Sequence, residues 1–475
     1  MPMTEKGYDA IVVGSGPNGL AAAIRLRREG LSVLLIEGLD TAGGGARTAE
    51  ITLPGFRHDI CSAVHPLAVL SPFFKHLPLD RHGLEWVYPE ISAAHPFDDG
   101  TAAALRPSLA QTADSLGSDK NCYLSLMSAL TERLHDLLPD LLGPFPSFRH
   151  PLQLARFASD ALLPASRIAK RFRTEAGKGL WGGVAAHALQ PLGNPITSAI
   201  AMILMSASHA GGWPFPKGGA QRIPQALLSY YKSIGGEFRN NCYVRSFIDL
   251  PHARAVLFDV TPRQLLEIMG DRLPQLYRRR LQRYRYGMGV FKIDWALSEP
   301  APFTAPECRL AGTVHLGPTF GEIARGELLT SRGKIVDKPF VIFSQPTIAD
   351  RTRAPAGGHV GWAYCHVPHG SGADMTEAIE NQVARFAPGF RDTILARHTF
   401  SANELESYNP NYVGGDINGG IQDIFQHFSR PVLSISPYRT PAKGIYICSS
   451  STPPGGGVHG MCGYHAAGRA LQDLF

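Results

Sequence analysis

The order of apolar and polar positions divides the chain into three kinds of segment. Near the start, an apolar run rich in β-branched residues, Ile11, Val12 and Val13, predicts a buried parallel strand. An amphipathic stretch from Leu20 to Glu29 then predicts a helix, whose Ala21, Ala22 and Ala23 allow close packing on a sheet. Leu31 to Ile36 predicts a second strand, ending at the acidic Glu37. From about residue 70 to 210 the pattern becomes helical: Gln111–Leu116, Tyr123–Leu138, Leu152–Leu163, Ser166–Glu175, Gly182–Leu189 and Thr197–Ser208, separated by Pro139, Gly143-Pro144, Pro164 and Pro191. Beyond residue 263 the period shortens. Phe291–Leu297 alternates as a half-buried strand, Phe340–Phe343 and Val360–Val367 read the same way, and Met375–Phe386 is an amphipathic helix.

Between the first strand and helix lies Gly14-Ser15-Gly16-Pro17-Asn18-Gly19, a GxGxxG turn. Such a turn alone is weak evidence, because glycine-rich turns are common. Here the strand, the helix, the second strand and an acid at about the 20-residue offset are all present, which makes a complete dinucleotide-binding βαβ unit. Gly14 lets the chain turn, Gly16 lets backbone approach a pyrophosphate, and Gly19 lets helix meet strand. The helix N-terminus offers free N–H groups and a favourable dipole to the pyrophosphate, and Glu37 is placed for a ribose hydroxyl pair. A second glycine cluster follows, Gly43-Gly44-Gly45-Ala46-Arg47-Thr48.

Further on, Glu50–Asp59 contains a Pro-Gly turn and predicts a strand pair. His58, Asp59 and His65 are read either as site residues or as hydrogen-bonders of turns. The apolar run Ala199–Met205 is either buried core or the wall of a tunnel for a lipophilic molecule. Arg156, Arg167, Lys170, Arg171 and Arg173 are either a solvated helix face or a contact for anionic lipid headgroups. Trp213–Gly219 leads to a helix Ile223–Ile234, to Gly235-Gly236-Glu237-Phe238, and to strands expected at Tyr243–Phe247 and Arg254–Val260. In Tyr408–Gly420, glycines frame Asp416 as in a constrained binding loop, the alternative being a hairpin with Asn-Gly turn chemistry. Last, a strand Gly444–Ser451 runs through a Pro/Gly turn into a helix Tyr464–Leu474. Gly455, Gly457 and Gly460 repeat GxGxxG, but neither a strand nor an acid follows, so a second dinucleotide unit is not expected.

Composition narrows the classes. At 475 residues with 44% hydrophobic and 18% charged positions, the chain has the make-up of a globular protein with room for two or three domains. A formal charge of +6 with scattered Lys and Arg implies no nucleic-acid partner. The 7 cysteines, without a CxxC pair, suggest reduced thiols and a cytoplasmic setting. The first strand begins too early to leave room for a signal peptide, and the most apolar stretch, Ile196–Met205, is too short to span a bilayer.

The GGxxR[ST] element at Gly43–Thr48 resembles that of FAD enzymes of the glutathione-reductase-like and amine-oxidase-like group, and the PxGG turn, helix, GGE and strand after Trp213 resemble the amine-oxidase-like group. Together with VVGSGPNGLAAAIRL, the carboxy-terminal CSSSTPPGGGVHGMCGYHAA, YNPNYVGGDINGG and YRTP, these motifs resemble the phytoene desaturase, carotenoid isomerase and retinol saturase superfamily. Its phytoene-dehydrogenase-like branch of pyridine nucleotide-disulphide oxidoreductase domain-containing proteins is the nearest likeness, over almost the whole chain. The resemblance implies an α/β fold: a Rossmann-type FAD-binding domain of glutathione-reductase/amine-oxidase-like form (residues 1–70, 211–262 and 431–475), an inserted helical cap (71–210), and an antiparallel-sheet substrate domain (263–430) as the floor beneath the flavin.

FAD contacts are then expected from Gly14, Gly16, Pro17, Asn18, Gly19, Glu37, Gly43, Gly44, Gly45, Ala46, Arg47, Val244, Ser450, Gly456, Gly457, Val458 and His459. The last turn would stabilise negative charge at the reduced flavin edge. Two departures from the superfamily stand out. Ser449, Ser450 and Ser451 replace a Gly-Asp pair that holds the ribitol, and the connection between the two strands after Gly236 is short. The implied reaction is hydride transfer from a lipophilic, unsaturated substrate to flavin N5, with His459, His65 and Asp416 as acid–base candidates and oxygen or a quinone as electron acceptor. Peripheral contact with a membrane surface and oligomerisation are further expectations; no metal is implied. Rival classes are an amine oxidase, a cyclising or isomerising oxidase of specialised metabolism, and a flavoprotein with an assembly role.

Overall fold

The opening apolar run pairs on both edges. In the computed structural model, which describes residues 7–144 and 148–475, Tyr8–Val13 is the centre of a five-stranded parallel sheet ordered Ile445–Ile447, Ala253–Phe258, Tyr8–Val13, Val33–Ile36, Glu237–Arg239. The lead-in before Gly7, on which the signal-peptide expectation rests, lies outside the described residues. Both faces of this sheet are covered. Ala10, Val12 and Leu35 pack with the helices Pro17–Arg28, Arg222–Ser233 and Met461–Leu474, while Ile11, Val13, Leu34 and Phe258 pack against Leu265, Ile268 and Tyr277 of the helices Pro262–Met269 and Gln275–Gln282. A strand buried on two faces has no polar side to alternate with, which is why it reads as a continuous apolar run.

The second sheet has seven strands, ordered Ile394–Phe400, Gly289–Leu297, His359–Val367, Val341–Ser344, Ala311–Leu316, Ile91–Pro96, Ala102–Leu105. Every pairing is antiparallel except that of Ala311–Leu316 with Ile91–Pro96. Every residue of Gly289–Leu297 and His359–Val367 is buried, where a half-buried strand was expected. The alternation is real but separates two kinds of interior. Ile293, Trp295, Val314, Phe343 and Ala363 face an apolar cluster with Ile379 and Val383 of the helix Thr376–Phe386. Lys292, Asp294, Thr313, His315, Trp362 and Tyr364 share the opposite face, where Trp362 and Tyr364 join the cluster that also holds Ala10 and Val12 of the first sheet and Ala201 and Met205 of the helix Thr197–Gly211.

Four local expectations change. The strands Ile91–Pro96 and Ala102–Leu105 lie within the stretch read as a helical cap, and their Ala-rich sequences carry little β-branched signal. The helix Lys120–Leu141 continues past Pro139, so that Asp140 accepts the N–H groups of Arg149 and His150 at 2.9 and 3.0 Å. A helix expected over Ser166–Glu175 breaks after Ala169, because Asp119 draws off the N–H groups of Arg173 and Thr174. Thr174 then caps a new helix, Glu175–Ala185. Finally, Tyr243–Ser246 is not a strand; the sheet edge is Glu237–Arg239. Among the described residues, no helix is long and apolar enough to cross a membrane.

Candidate active site

The glycine turn folds as its spacing requires. Gly14 has φ +96°, open to glycine but strained for other residues, and a Cβ on Gly19 would overlap the Gly14 carbonyl oxygen. The second glycine cluster packs on the first: a Cβ on Gly44 would stand 2.8 Å from the Gly16 Cα. Pro17 begins the helix, whose N-terminus opens on a cavity of about 650 Å³. Glu37 faces this cavity, yet both its oxygens already hold protein. Oε2 accepts the Ser15 N–H at 3.0 Å and hydroxyl at 2.5 Å, Oε1 accepts the Leu39 N–H at 3.0 Å, and Arg47 lies 3.6 Å away. Arg47 also donates to the Thr41 carbonyl at 2.6 Å, leaving its buried Nε unpaired, as is Asn18 Oδ1. Two unpaired polar groups on the wall of one cavity are what a polar ligand would satisfy.

Of the expected contact residues, Gly14, Gly16, Pro17, Asn18, Glu37, Gly44, Gly45, Arg47, Val244, Ser450, Gly457 and Val458 line this cavity. Gly19, Gly43, Ala46, Gly456 and His459 do not. Gly43 backs the Arg47 side chain and Gly456 packs on Asn418, so both act through packing. His459 turns away from the cavity. Its Nδ1 accepts the Met461 N–H at 3.0 Å and its carbonyl accepts the Ser71 hydroxyl at 2.6 Å, while burial pulls its pKa down to about 4. It secures the glycine turn as a neutral ring and is removed from the acid–base candidates.

Asp416 is removed as well. Its carboxylate accepts the N–H groups of Gly287 at 2.7 Å, Asn418 at 2.8 Å and Gly420 at 3.0 Å, closing the loop on itself; burial raises its pKa despite these bonds. The loop is a short 3-10 turn, Val413–Gly415, rather than a hairpin. His65 remains on the cavity wall. Ser62 donates to the Gly45 carbonyl at 3.0 Å, so its oxygen takes the His65 Nε2 proton at 3.1 Å, and His65 Nδ1 is left unprotonated and unpaired. Burial lowers its pKa to about 4, which keeps the ring neutral.

Three features of the site go beyond the residues singled out from sequence. Asp259, at the end of the strand Ala253–Phe258, accepts the Gly19 N–H at 2.8 Å, and burial with help from Glu37 raises its pKa to about 7. A buried network joins Lys292 to Asp294 and Asp294 to His58 at 3.5 Å. The far end of the cavity is walled by Leu204, Trp213, Ile342, Trp362, Tyr364 and His187. Leu204 thus reaches the cavity from the apolar helix Thr197–Gly211, while Ala201 and Met205 beside it are core. Period-two reading of Trp362-Ala363-Tyr364 could have found the aromatic pair. His187 follows a Gly-rich helix and carries no local signal.

The model of an NAD(P)-binding Rossmann-like domain matches residues 12–77. The mouse pyridine nucleotide-disulfide oxidoreductase domain-containing protein 2 is 26% identical over 98% of this chain and 94% of its own length. A lycopene-forming phytoene desaturase from Pantoea ananas is 24% identical over 98% and 99%. Among solved structures, the cyclohexylamine oxidase of Brevibacterium oxydans shares the fold, with a TM-score of 0.59 at 17% identity over 98% of this chain and 99% of that one. The likeness runs the length of the chain and does not stop at the dinucleotide unit, so along its whole length the chain is similar to phytoene desaturase-like FAD-dependent oxidoreductases.

Proposed function

We propose that the protein oxidises a lipophilic, unsaturated substrate by hydride transfer to N5 of FAD, the proton being lost to His65 or water and the electrons passing on to oxygen or a quinone. The carrying observation is one continuous cavity, which begins at the Gly14–Asn18 turn and ends among Leu204, Trp213, Ile342 and Trp362. FAD supplies the two-electron chemistry when bound. The chain's own residues orient and enclose. The helix N-terminus directs its positive dipole end at the pyrophosphate end, Arg47 Nε–H is an unpaired donor there, Asn18 Oδ1 is an unpaired acceptor for a ligand hydroxyl or N–H, and His65 Nδ1 offers a lone pair. The second glycine turn serves the same cavity through Gly457 and Val458, which supports one nucleotide site and a small-molecule electron acceptor.

A second reading, amine oxidation, is favoured by the aromatic lining. Trp362 and Tyr364 meet edge to face at 5.2 Å, with Tyr408 and Tyr412 on the same cavity. Both readings are separated by the absorbance spectrum of the purified or FAD-reconstituted protein under anaerobic titration. Bleaching by an unsaturated lipophile but not by amines or NAD(P)H is the expected result, bleaching by amines supports the second reading, and failure to bind FAD overturns both. Peripheral membrane delivery of substrate is supported by the exposure of Leu152 (82%) on the helix that carries the exposed Arg156, and by the exposure of Arg167, Lys170, Arg171 and Arg173.

Asp259 makes FAD loading pH-dependent. Its raised pKa means that it is neutral below about 7 and charged above, at the helix start where the diphosphate is expected. Like charges repel, so FAD binding takes up a proton above that pH. FAD affinity is expected to be flat below neutrality and to fall by up to about tenfold per pH unit above it, with Asp259→Asn removing the slope. Flavin-fluorescence titration across pH measures both.

A further inference from the structure

The far end of the cavity is less hydrocarbon-like than its aromatic residues suggest. Two adjacent rows of side chains cross the seven-stranded sheet there, Thr313–Ser344–Trp362 and His315–Ile342–Tyr364, as the strand register dictates. Thr313, Ile342, Trp362 and Tyr364 all belong to the cavity wall. Opposite them the helix Glu175–Ala185 lies unusually close, because it is built on glycine. A Cβ on Gly183 would stand 2.9 Å from both His315 Nδ1 and His95 Nδ1. This approach sets His187, just beyond the helix, against the sheet, with Nε2 2.9 Å from His315 Nε2 and the ring 5.8 Å from that of Trp213.

The hydrogen-bonding capacity of this wall is only partly used. Thr313 Oγ1 and Trp362 Nε1 are buried and have no partner, and among the described residues no protein group pairs with the Tyr364 hydroxyl or with His187 Nδ1. His187 is held neutral by burial, with its pKa down at about 3. A pure hydrocarbon would leave all of these groups unsatisfied, at a cost of roughly 1–3 kcal/mol for each buried one. Their chemistry also discriminates among polar ligands. The indole N–H of Trp362 can only donate, so it requires an acceptor, and an alkylammonium has none.

We propose that the substrate is a lipophile carrying an uncharged oxygen, an alcohol or carbonyl, held by Trp362, Thr313, Tyr364 and His187. This rests on the lipophilic-substrate reading above and names its class. The cap supplies the apolar surface and the sheet supplies the donors. His187 acts as an anchoring residue positioned by His315, not as a metal ligand: among the described residues no group of His, Cys, Asp or Glu is disposed to hold a metal.

The test uses the FAD-loaded full chain and a matched series of straight-chain ligands: a long-chain 1-alkene in which the alkene is the only functional group, the 2-alkanone of equal length and the 1-alkylammonium. Binding is read anaerobically from flavin absorbance and tryptophan emission. The ketone is expected to bind at least about tenfold more tightly than the alkene, and the ammonium most weakly. Trp362→Phe, which keeps the ring and removes the N–H, and Thr313→Val, which keeps the shape, should each bring the ketone toward the alkene. Two such variants guard against a failure of either to fold. Equal binding of ketone and alkene, or an unchanged preference in both variants, overturns the oxygen-bearing substrate. Tightest binding by the ammonium overturns it in favour of an amine. Binding of none of the three overturns the lipophilic-substrate reading itself.

Discussion

Replacing Arg353 with methionine is expected to cost about 3–5 kcal/mol of stability, the range for leaving one member of a buried ion pair alone. Arg353 is fully buried and lies 2.8 Å from the Asp59 carboxylate, itself 1% exposed. The guanidinium also donates twice to the Arg57 carbonyl, at 3.1 and 3.0 Å. Asp59 in turn accepts the Thr48 hydroxyl at 2.7 Å and the Ala220 N–H at 2.8 Å. One pair therefore ties the segment after the second glycine cluster, the turn before the helix Arg222–Ser233, and the loop leading into the strand His359–Val367. Urea unfolding gives the loss directly. The double replacement Arg353→Met, Asp59→Leu should recover part of it, because no buried charge is then left unpaired. A loss below about 1 kcal/mol in the single variant would show that water reaches Asp59 and that the junction is not what holds these segments.

Gly463→Ala should weaken FAD binding by roughly a hundredfold, at the upper end of what overpacking a close contact costs. Gly463 begins the carboxy-terminal helix and lies directly on the Asn18 carbonyl, which a Cβ would overlap. Asn18 is in the first turn of the helix whose N-terminus faces the cavity, so relieving the clash moves both the donors of that turn and Asn18 itself. Gly468→Ala, one turn further along the same helix, is the internal comparison. There a Cβ meets only the flexible guanidinium of Arg25, and the expected change in FAD affinity is small. Equal effects of the two substitutions would attribute the loss to packing of the helix in general and not to the Asn18 contact.

Much of the nucleotide half was legible because its determinants are local. A strand buried on two faces is apolar along its length, and a helix that must touch both a strand and a phosphate needs glycine at fixed offsets. Gly14, Gly19 and Glu37 satisfy these demands within one βαβ unit. The candidate acids and bases were legible only as residue types. His65 kept its place at the cavity, but Asp416 and His459 became acceptors for backbone N–H groups, since a glycine-rich loop with many unpaired donors recruits the nearest polar side chain.

The amino-acid sequence by itself determined the dinucleotide unit, the second glycine cluster that packs on it, and the resemblance to phytoene desaturase-like oxidoreductases. Tertiary structure alone decided what surrounds them. Ile91–Pro96 and Ala102–Leu105 are strands because a sheet edge was there to pair with, Val244 lines the cavity without being in a strand, and Asp259 reaches Gly19 from far along the chain. The polar wall of Thr313, Trp362, Tyr364 and His187 likewise exists only once register aligns three strands and a glycine helix lets an imidazole approach. Local pattern reports which way a side chain turns relative to its own backbone; what it then meets is set by contacts between segments distant in sequence, and chemistry depends on the second.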